Sequence, residues 1–154
     1  MDIPPRPRDL SLDGIDPCTL FTPAQRTELR VDDVDSGTSG SNHYSGMRTC
    51  VLDVSAQAPF YTYDVIAVTN EDVGFWLTGT RNADATLVSV GGYPAAKFNT
   101  KGVDTDCVYA VGVAEGQHLQ FEMTPTSDGF TQEDICRDSE QAAEMALQTL
   151  QTLK

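Results

Sequence analysis

Two histidines are the first candidates for acid–base chemistry, because an unperturbed imidazole titrates near neutral pH. His43 lies two residues before Ser45, and acids are plentiful, so a Ser-His-Asp arrangement is one chemistry that these residue types could perform. However, the sequence contains no G-x-S-x-G elbow, and His43 lies in a Ser- and Gly-rich segment. His118 follows a turn within a predicted strand, where we expect a surface position. We therefore predict no catalytic residue.

Carboxylates are the next candidates, either as an acid–base pair or as metal ligands. Asp104 and Asp106 flank one threonine at the start of a predicted strand, where a solvated edge is the expected role. Asp33, Asp35 and Gly37 resemble part of a calcium loop, but the glycine comes one place too early for an EF-hand. There is no C-x-x-C pair and no glycine-rich nucleotide motif, so we predict no metal and no cofactor.

The overall charge restricts the classes of partner. The chain has 154 residues, with 10 basic against 23 acidic side chains and a formal net charge of −13. A nucleic-acid partner requires a basic face, and so does docking on anionic lipid. We therefore expect neither, and interpret the acidic surface as one that favours solubility outside the cell. This length is that of a single domain with its own core.

Four widely spaced cysteines, Cys18, Cys50, Cys107 and Cys136, are the strongest signal in the sequence. An even number without metal-ligand spacing indicates two disulfides formed in an oxidising compartment. Of the three pairings, we predict Cys18–Cys50 and Cys107–Cys136. The first would pin a short capped helix to the first strand, and the second would hold the C-terminal helix over the sheet.

The elements that position these residues predict an α+β fold. Residues 1–13 are predicted to be a flexible, Pro-rich leader, and residues 14–154 a single disulfide-stapled domain, with a loop at 32–46. Thr22-Pro23-Ala24-Gln25 begins a short helix, and Thr131 caps a long one whose apolar stripe needs a sheet to cover. We predict an antiparallel twisted sheet of about five or six strands, with both helices packed on it. The strand signals are at 47–54, 61–68, 86–90, 95–98, 107–113 and 117–123.

Aromatic residues offer one binding hypothesis. Trp76 and Tyr93 both lie beside glycines in connecting segments, where binding residues concentrate. We name these two as candidates to line an apolar ligand groove. The alternative is that the aromatic residues fill the core.

Several segments in order resemble an actinobacterial family of envelope lipoproteins known as domain of unknown function 3558. They are Asp16-Pro17-Cys18-Thr19-Leu20-Phe21-Thr22-Pro23-Ala24, Arg48-Thr49-Cys50, Val90-Gly91-Gly92-Tyr93-Pro94-Ala95-Ala96, Asp106-Cys107-Val108-Tyr109-Ala110-Val111-Gly112-Val113, and Cys136 with its Ala-rich helix. The resemblance implies an exported protein, commonly tethered by a lipid on an N-terminal cysteine. No such lipobox is present here, so any membrane attachment would need a lipid anchor that this sequence lacks. Leu52 stands where family members often carry Trp.

Together these observations favour a non-enzymatic, extracytoplasmic binding or interaction module of the cell envelope, secreted or lipid-anchored. Its partner would be an envelope protein or a small apolar ligand. The alternative is an extracellular ligand-sensing domain, similar in layout to the sensor domains of actinobacterial receptor kinases. A groove at Trp76 and Tyr93 would favour the sensor, whereas a filled core with flat faces would favour the interaction module.

Overall fold

The computed structural model describes residues 2–154, and the strands in this range form a single antiparallel sheet. Met1, the first residue of the predicted leader, lies outside this range. Seven strands of the described residues lie in the order β1-β2-β3-β7-β6-β5-β4. They are β1 (Asp33–Thr38), β2 (Arg48–Val54), β3 (Tyr61–Val68), β4 (Ala83–Val90), β5 (Tyr93–Thr100), β6 (Val108–Ala114) and β7 (Gln117–Pro125).

The α+β class and the antiparallel pairing agree with the sequence prediction, but the strand number does not. The additional strand is β1, which lies in the stretch predicted to be a loop and pairs with β2 at the edge of the sheet. Its residues Asp-Val-Asp-Ser-Gly-Thr are almost all exposed. An edge strand that is solvated on both faces shows no apolar alternation, so the sequence carried no strand signal there.

The long C-terminal helix packs on one face of the sheet, and the short N-terminal helix lies against it, with Gln25 Nε2 donating to the Met145 carbonyl at 3.2 Å. α1 (Pro23–Glu28) begins at Thr22 with the predicted capping box, in which Gln25 completes the pair of hydrogen bonds. α2 (Gln132–Leu153) begins at Thr131, and its buried stripe packs on β7 and β6. Leu153, predicted to belong to that stripe, is 51% exposed. Two shorter 3-10 helices occupy Pro17–Leu20 and Val73–Leu77.

Alternation along the strands divides the apolar side chains between two faces. Leu119, Phe121 and Met123 of β7 point into the main core under α2. On the opposite face, Ala96 and Phe98 of β5 belong to a smaller cluster that the 3-10 helix Val73–Leu77 covers. Both faces at the β4–β5–β6 side of the sheet are therefore buried, although the sequence predicted burial only of the face under α2.

The N-terminal segment contributes to the main core. Leu10 and Leu12 are 0% and 1% exposed, although both fall within the leader that was predicted to be flexible. The backbone N–H of Leu10 donates to the Val113 carbonyl at 2.7 Å, and the N–H of Leu12 donates to Oε1 of Gln117 at 2.8 Å. The packed domain therefore begins before residue 14, because the two leucines fill space that the helices leave open at the end of β6 and β7.

Disulfides join Cys18 to Cys50 and Cys107 to Cys136, which is the pairing expected from the sequence. The first links the 3-10 helix Pro17–Leu20 to β2, and the second links the segment before β6 to the second turn of α2. The two bonds indicate an oxidising, extracytoplasmic environment. Across residues 2–154 there is no helix with the length and apolar character needed to cross a membrane.

Candidate functional site

The segment between β3 and β4 covers the sheet face opposite α2 and carries the densest polar cluster on that face. Asp72 caps the 3-10 helix Val73–Leu77 by accepting from the Gly74 N–H at 3.0 Å. Val73 is fully buried against the sheet, and Trp76 stacks on Phe98 with ring centroids 3.9 Å apart. These anchors hold the flanking residues Glu71 and Arg81 in fixed positions over the face.

A buried ion pair forms the centre of the cluster. The Glu71 carboxylate is paired with the Arg81 guanidinium, whose Nη1 donates to Oε2 at 2.9 Å while Nη2 contacts Oε1. The hydroxyl of Tyr44 also donates to Oε2 at 2.7 Å, and His43 Nε2 lies 2.7 Å from Oε1. Burial alone would raise the pKa of Glu71, but the hydrogen bonds from Arg81, Tyr44 and His43 outweigh it and lower the pKa to about 2.

A hydrogen-bond chain continues from this ion pair into the sheet. The Gln120 amide group lies 2.9 Å from the Tyr44 hydroxyl and 3.0 Å from His118 Nε2, and it donates to both. Nε2 of His118 is therefore an acceptor, and the Nδ1–H donates to the Glu71 carbonyl at 3.0 Å. This assigns His118 as neutral, and burial lowers its pKa to about 4. The predicted surface position of His118 is wrong, since the side chain is 0% exposed.

Four residues form a contiguous surface at the outer side of this cluster, which we call the Arg81 patch: His43, Phe75, Trp76 and Arg81. The guanidinium carbon of Arg81 lies 4.6 Å from the Trp76 ring centroid and 5.8 Å from that of Phe75. Phe75 is 54% exposed, although it is a large apolar residue. The Trp76 indole N–H makes no hydrogen bond of normal geometry to any residue in 2–154.

The chemistry available to this cluster is limited by its own hydrogen bonds. The Glu71 carboxylate is occupied by three side-chain partners, and the residue is 8% exposed, so it is not free to accept a substrate proton. His118 is neutral and sealed from solvent. These hydrogen bonds therefore fix the geometry of the Arg81 patch and leave neither Glu71 nor His118 free to act as a general base.

The other half of this face, over β1, β2, β3 and β7, is partly exposed and acidic. Asp64 of β3 and Glu122 of β7 are directly paired in register, and Val51 and Asp35 continue the same row on β2 and β1. Burial first, then the charges of Asp64 and Asp106, raise the pKa of Glu122 to about 7. This half presents a flat surface of strands to solvent.

The structure separates the two residues predicted to line a groove. Tyr93 is 1% exposed and belongs to the main core under α2, whereas Trp76 lies on the opposite side of the sheet. The groove is therefore not formed, because Tyr93 is the first residue of β5 and its side chain points inward with Ala95. Tyr93 therefore fills the core and does not line a ligand groove.

The remaining sequence candidates do not come together. His43 is engaged with Glu71 and Arg81, and no hydrogen bond within the described chain joins it to Ser45. Asp106 accepts from the backbone N–H and hydroxyl of Thr100, whereas Asp104 is exposed. Asp33 and Asp35 lie on the exposed edge strand. Among residues 2–154 no group of three or more His, Cys, Asp or Glu side chains is arranged to hold a metal ion.

Sequence reasoning missed Glu71, Arg81 and Gln120. None of the three residues lies in a recognisable motif. The available signal was an unexplained polar residue, Gln120, between apolar residues of a strong strand, together with an aromatic pair next to a loop arginine. Nothing in the sequence brought positions 44, 71, 81 and 120 together, because they come from three separate segments.

The fold and the site define a two-disulfide α+β protein with one antiparallel sheet, covered on one face by a long C-terminal helix. The chain belongs to the family described as protein of unknown function DUF3558, whose model matches residues 2–149. No curated protein and no solved structure matches the chain.

Proposed function

We propose that this protein is a non-enzymatic, extracytoplasmic interaction module of the cell envelope that binds a protein partner through the Arg81 patch. The observation that carries the proposal is Phe75, which is 54% exposed beside Trp76 and Arg81. Aromatic residues and arginine dominate the binding energy of protein interfaces, and exposed ones on a rigid support lose little entropy on binding.

The support under this patch is unusually firm for a surface loop. Val73 and Trp76 anchor the 3-10 helix on the sheet, and the Glu71–Arg81 ion pair holds the two ends of the segment between β3 and β4 together. The partner surface that fits is one with an apolar pocket for the Phe75 ring. Acidic groups at its edge would suit the partly exposed His43 and Arg81 side chains.

We also propose that the protein is secreted or anchored to the cell membrane by a lipid. The two disulfides support an extracytoplasmic location, and the net charge of −13 favours a soluble partner over anionic lipid. The resemblance to envelope lipoproteins supports attachment to the cell membrane through an N-terminal lipid. Detection of the protein in culture medium or in the membrane fraction of its native cells tests this part.

A photo-crosslinking amino acid at position 75 in the native host tests the interaction. We expect an adduct with a defined envelope protein, and purified partner should bind Phe75→Ala at least about tenfold more weakly than the unmodified protein. Val103 is the matched control, because it is also an exposed large apolar residue, at 37%, but lies outside the patch. Equal crosslinking at 75 and 103, or unchanged affinity in Phe75→Ala, would refute the patch as the interface.

A second candidate function is ligand sensing, and a separate observation favours it. A cavity of about 470 Å³ lies on the α2 side of the sheet, between the first turns of α2 and strands β4, β5 and β6. Its volume falls within the range of small-molecule sites. This cavity is unrelated to the predicted groove at Trp76 and Tyr93, since neither residue lines it.

A further inference from the structure

The cavity beside α2, which we call the α2 cleft, has a floor made by neighbouring strands. Lys97 of β5 and Tyr109 of β6 are directly paired in register and both line it. Lys97 is half-buried, and no carboxylate of the described residues lies within ion-pair distance of its ammonium group. Tyr109 is 4% exposed, and its hydroxyl makes no hydrogen bond within residues 2–154. The floor therefore carries a cation and a hydroxyl that are free to bind a ligand.

The walls of the α2 cleft carry the opposite charge. Asp84 on β4, and Glu133 and Glu140 on α2, line the cavity, and none of the three has an ion-pair or hydrogen-bond partner among the described side chains. Arg137 also lines the cavity, but it is engaged with Asp134 at 3.2 Å and Asp138 at 3.3 Å. The free charges that face the cleft are therefore three carboxylates and one ammonium.

The spacing of these charges restricts the ligand. Asp84 pairs with Asn99, and Thr86 pairs with Lys97, so Asp84 and Lys97 are diagonal neighbours on the β4–β5 ladder. Diagonal positions are about 7–8 Å apart, within reach of a long side chain, yet the Lys97 ammonium and the Asp84 carboxylate form no ion pair in the described structure. Both charges are therefore available to one small molecule that bridges them. A ligand that matches must carry both signs of charge.

We infer that the α2 cleft binds a small zwitterion of the amino-acid type, with its carboxylate on Lys97 and Tyr109 and its ammonium groups among Asp84, Glu133 and Glu140. The excess of carboxylates favours a ligand with two ammonium groups over one with a single ammonium group. This inference specifies a ligand for the second candidate function and rests on it. It is independent of the Arg81 patch, which lies across the sheet.

Calorimetric and amide chemical-shift titrations with four simple probes test the assignment at fixed ionic strength. The probes are L-lysine, L-alanine, 1,5-diaminopentane and acetate, which separate the contributions of the two ammonium groups and the carboxylate. We expect L-lysine to bind most tightly, L-alanine and 1,5-diaminopentane to bind about tenfold or more weakly, and acetate not to bind, with shifts at the amides of residues 84–99 and 132–140. Shifts that map elsewhere, or no preference among the probes, would overturn the inference.

Variants assign the roles within the cleft. Lys97→Met should weaken L-lysine binding about tenfold without weakening the binding of 1,5-diaminopentane, from which it removes a repelling charge, whereas Glu140→Gln should weaken both. Lys101→Met is the matched control, because Lys101 is an exposed lysine in the turn after β5 and lies outside the cleft. Equal behaviour of Lys97→Met and Lys101→Met would refute the site. If the cleft fails these tests while the adduct at position 75 persists, only the sensing candidate is refuted.

Discussion

Asp64 and Glu122 are opposed on neighbouring strands β3 and β7, two carboxyl groups in register with no basic side chain of residues 2–154 paired to either. Asp64 accepts hydrogen bonds from Thr124 at 3.0 Å and Thr62 at 3.4 Å, whereas the Glu122 carboxyl group receives none from the described residues. Asp64 is therefore held by two hydroxyl groups, whereas burial first, and then the neighbouring charges, raise the pKa of Glu122 to about 7. Like charges directly opposite each other destabilise a sheet, so this pair has a measurable effect.

The first prediction concerns the pH dependence of stability. Between pH 4.5 and about 7, folded Glu122 keeps a proton that the unfolded chain has released, so its contribution lowers the free energy of unfolding as pH rises. His118 acts in the opposite direction between pH about 4 and 6.5, where the unfolded chain binds a proton that the folded state excludes. Each effect is at most about 3 kcal/mol, so in the unmodified protein they largely cancel over this range.

Single substitutions should separate the two contributions. In Glu122→Gln the free energy of unfolding should rise clearly from pH 4.5 to 7, because Glu122 no longer opposes the contribution of His118. In His118→Asn it should fall over the same range. Urea unfolding at each pH measures this, and the slope against pH, not the absolute stability, is the readout. Glu115→Gln, at an exposed turn, removes the same charge and should leave the profile unchanged; a matching change there would contradict the assignment.

The second prediction concerns the ion pair under the Arg81 patch. Arg81→Met leaves the 8% exposed Glu71 carboxylate without its cation, which should lower the free energy of unfolding by about 3 kcal/mol. Arg137→Met is the control, since Arg137 pairs with Asp134 and Asp138 on an exposed helix surface, and its loss should change stability by no more than about 1 kcal/mol. Thermal or urea unfolding of both variants compares them directly.

The double variant Glu71→Gln/Arg81→Met refines this test. It removes both charges, so part of the stability lost in Arg81→Met should return. If Arg81→Met is no more destabilised than Arg137→Met, the pair is a solvated surface contact and the patch has no rigid support.

Sequence patterns predicted the features that depend on neighbouring residues, and missed those that depend on residues far apart in the chain. The capping box at Thr22, the stripe of α2 and the two hairpins come from neighbouring residues, and the structure has all of them. The edge strand β1 and the second buried face had no local signal, because β1 is polar and the covering segment around Val73 contains glycines. The opposition of Asp64 and Glu122 depends on strand register, and the pairing of Glu71 with Arg81 depends on the path of the segment between β3 and β4. Patterns alone fixed neither.

The third prediction uses Gly112 of β6, which lies beneath the covering 3-10 helix. A β-carbon there would come within 2.7 Å of Val73 Cγ1 and 3.3 Å of the Pro94 carbonyl oxygen. Gly112→Ala should therefore lift the covering segment and lower the free energy of unfolding by about 1–3 kcal/mol. Val73→Ala alone leaves a cavity and should be destabilising as well.

Because the two changes act on one contact, their effects should not add. The double variant Gly112→Ala/Val73→Ala should be more stable than the sum of the single effects predicts, by about 1 kcal/mol. Urea unfolding of the four proteins completes the cycle. Strict additivity would show that the 3-10 helix does not rest on Gly112.

The fourth prediction concerns the Cys107–Cys136 disulfide, which joins the segment before β6 to α2 and lines the α2 cleft. Ser139, one turn further along α2, ties the helix to the same region, since its hydroxyl donates to the Cys107 carbonyl at 3.0 Å and accepts from the Met123 N–H at 2.9 Å. The bond closes a loop with a sequence separation of 29. Its removal in Cys107→Ser/Cys136→Ser should cost about 3–4 kcal/mol in the chain-entropy model.

The structural effect of that removal should be local. Hydrogen exchange should accelerate in the first turns of α2, which the disulfide, Ser139 and the buried Ile135 hold, and change little beyond Ala142, where the stripe packs on the sheet. Non-reducing peptide mapping should still find Cys18 joined to Cys50. The cleft-binding signal of L-lysine should weaken with the same variant, because Glu133 and Glu140 lie on the loosened turns. Uniform acceleration along α2, or free thiols at Cys18 and Cys50, would instead show that the disulfide holds the whole fold together and not one end of the helix.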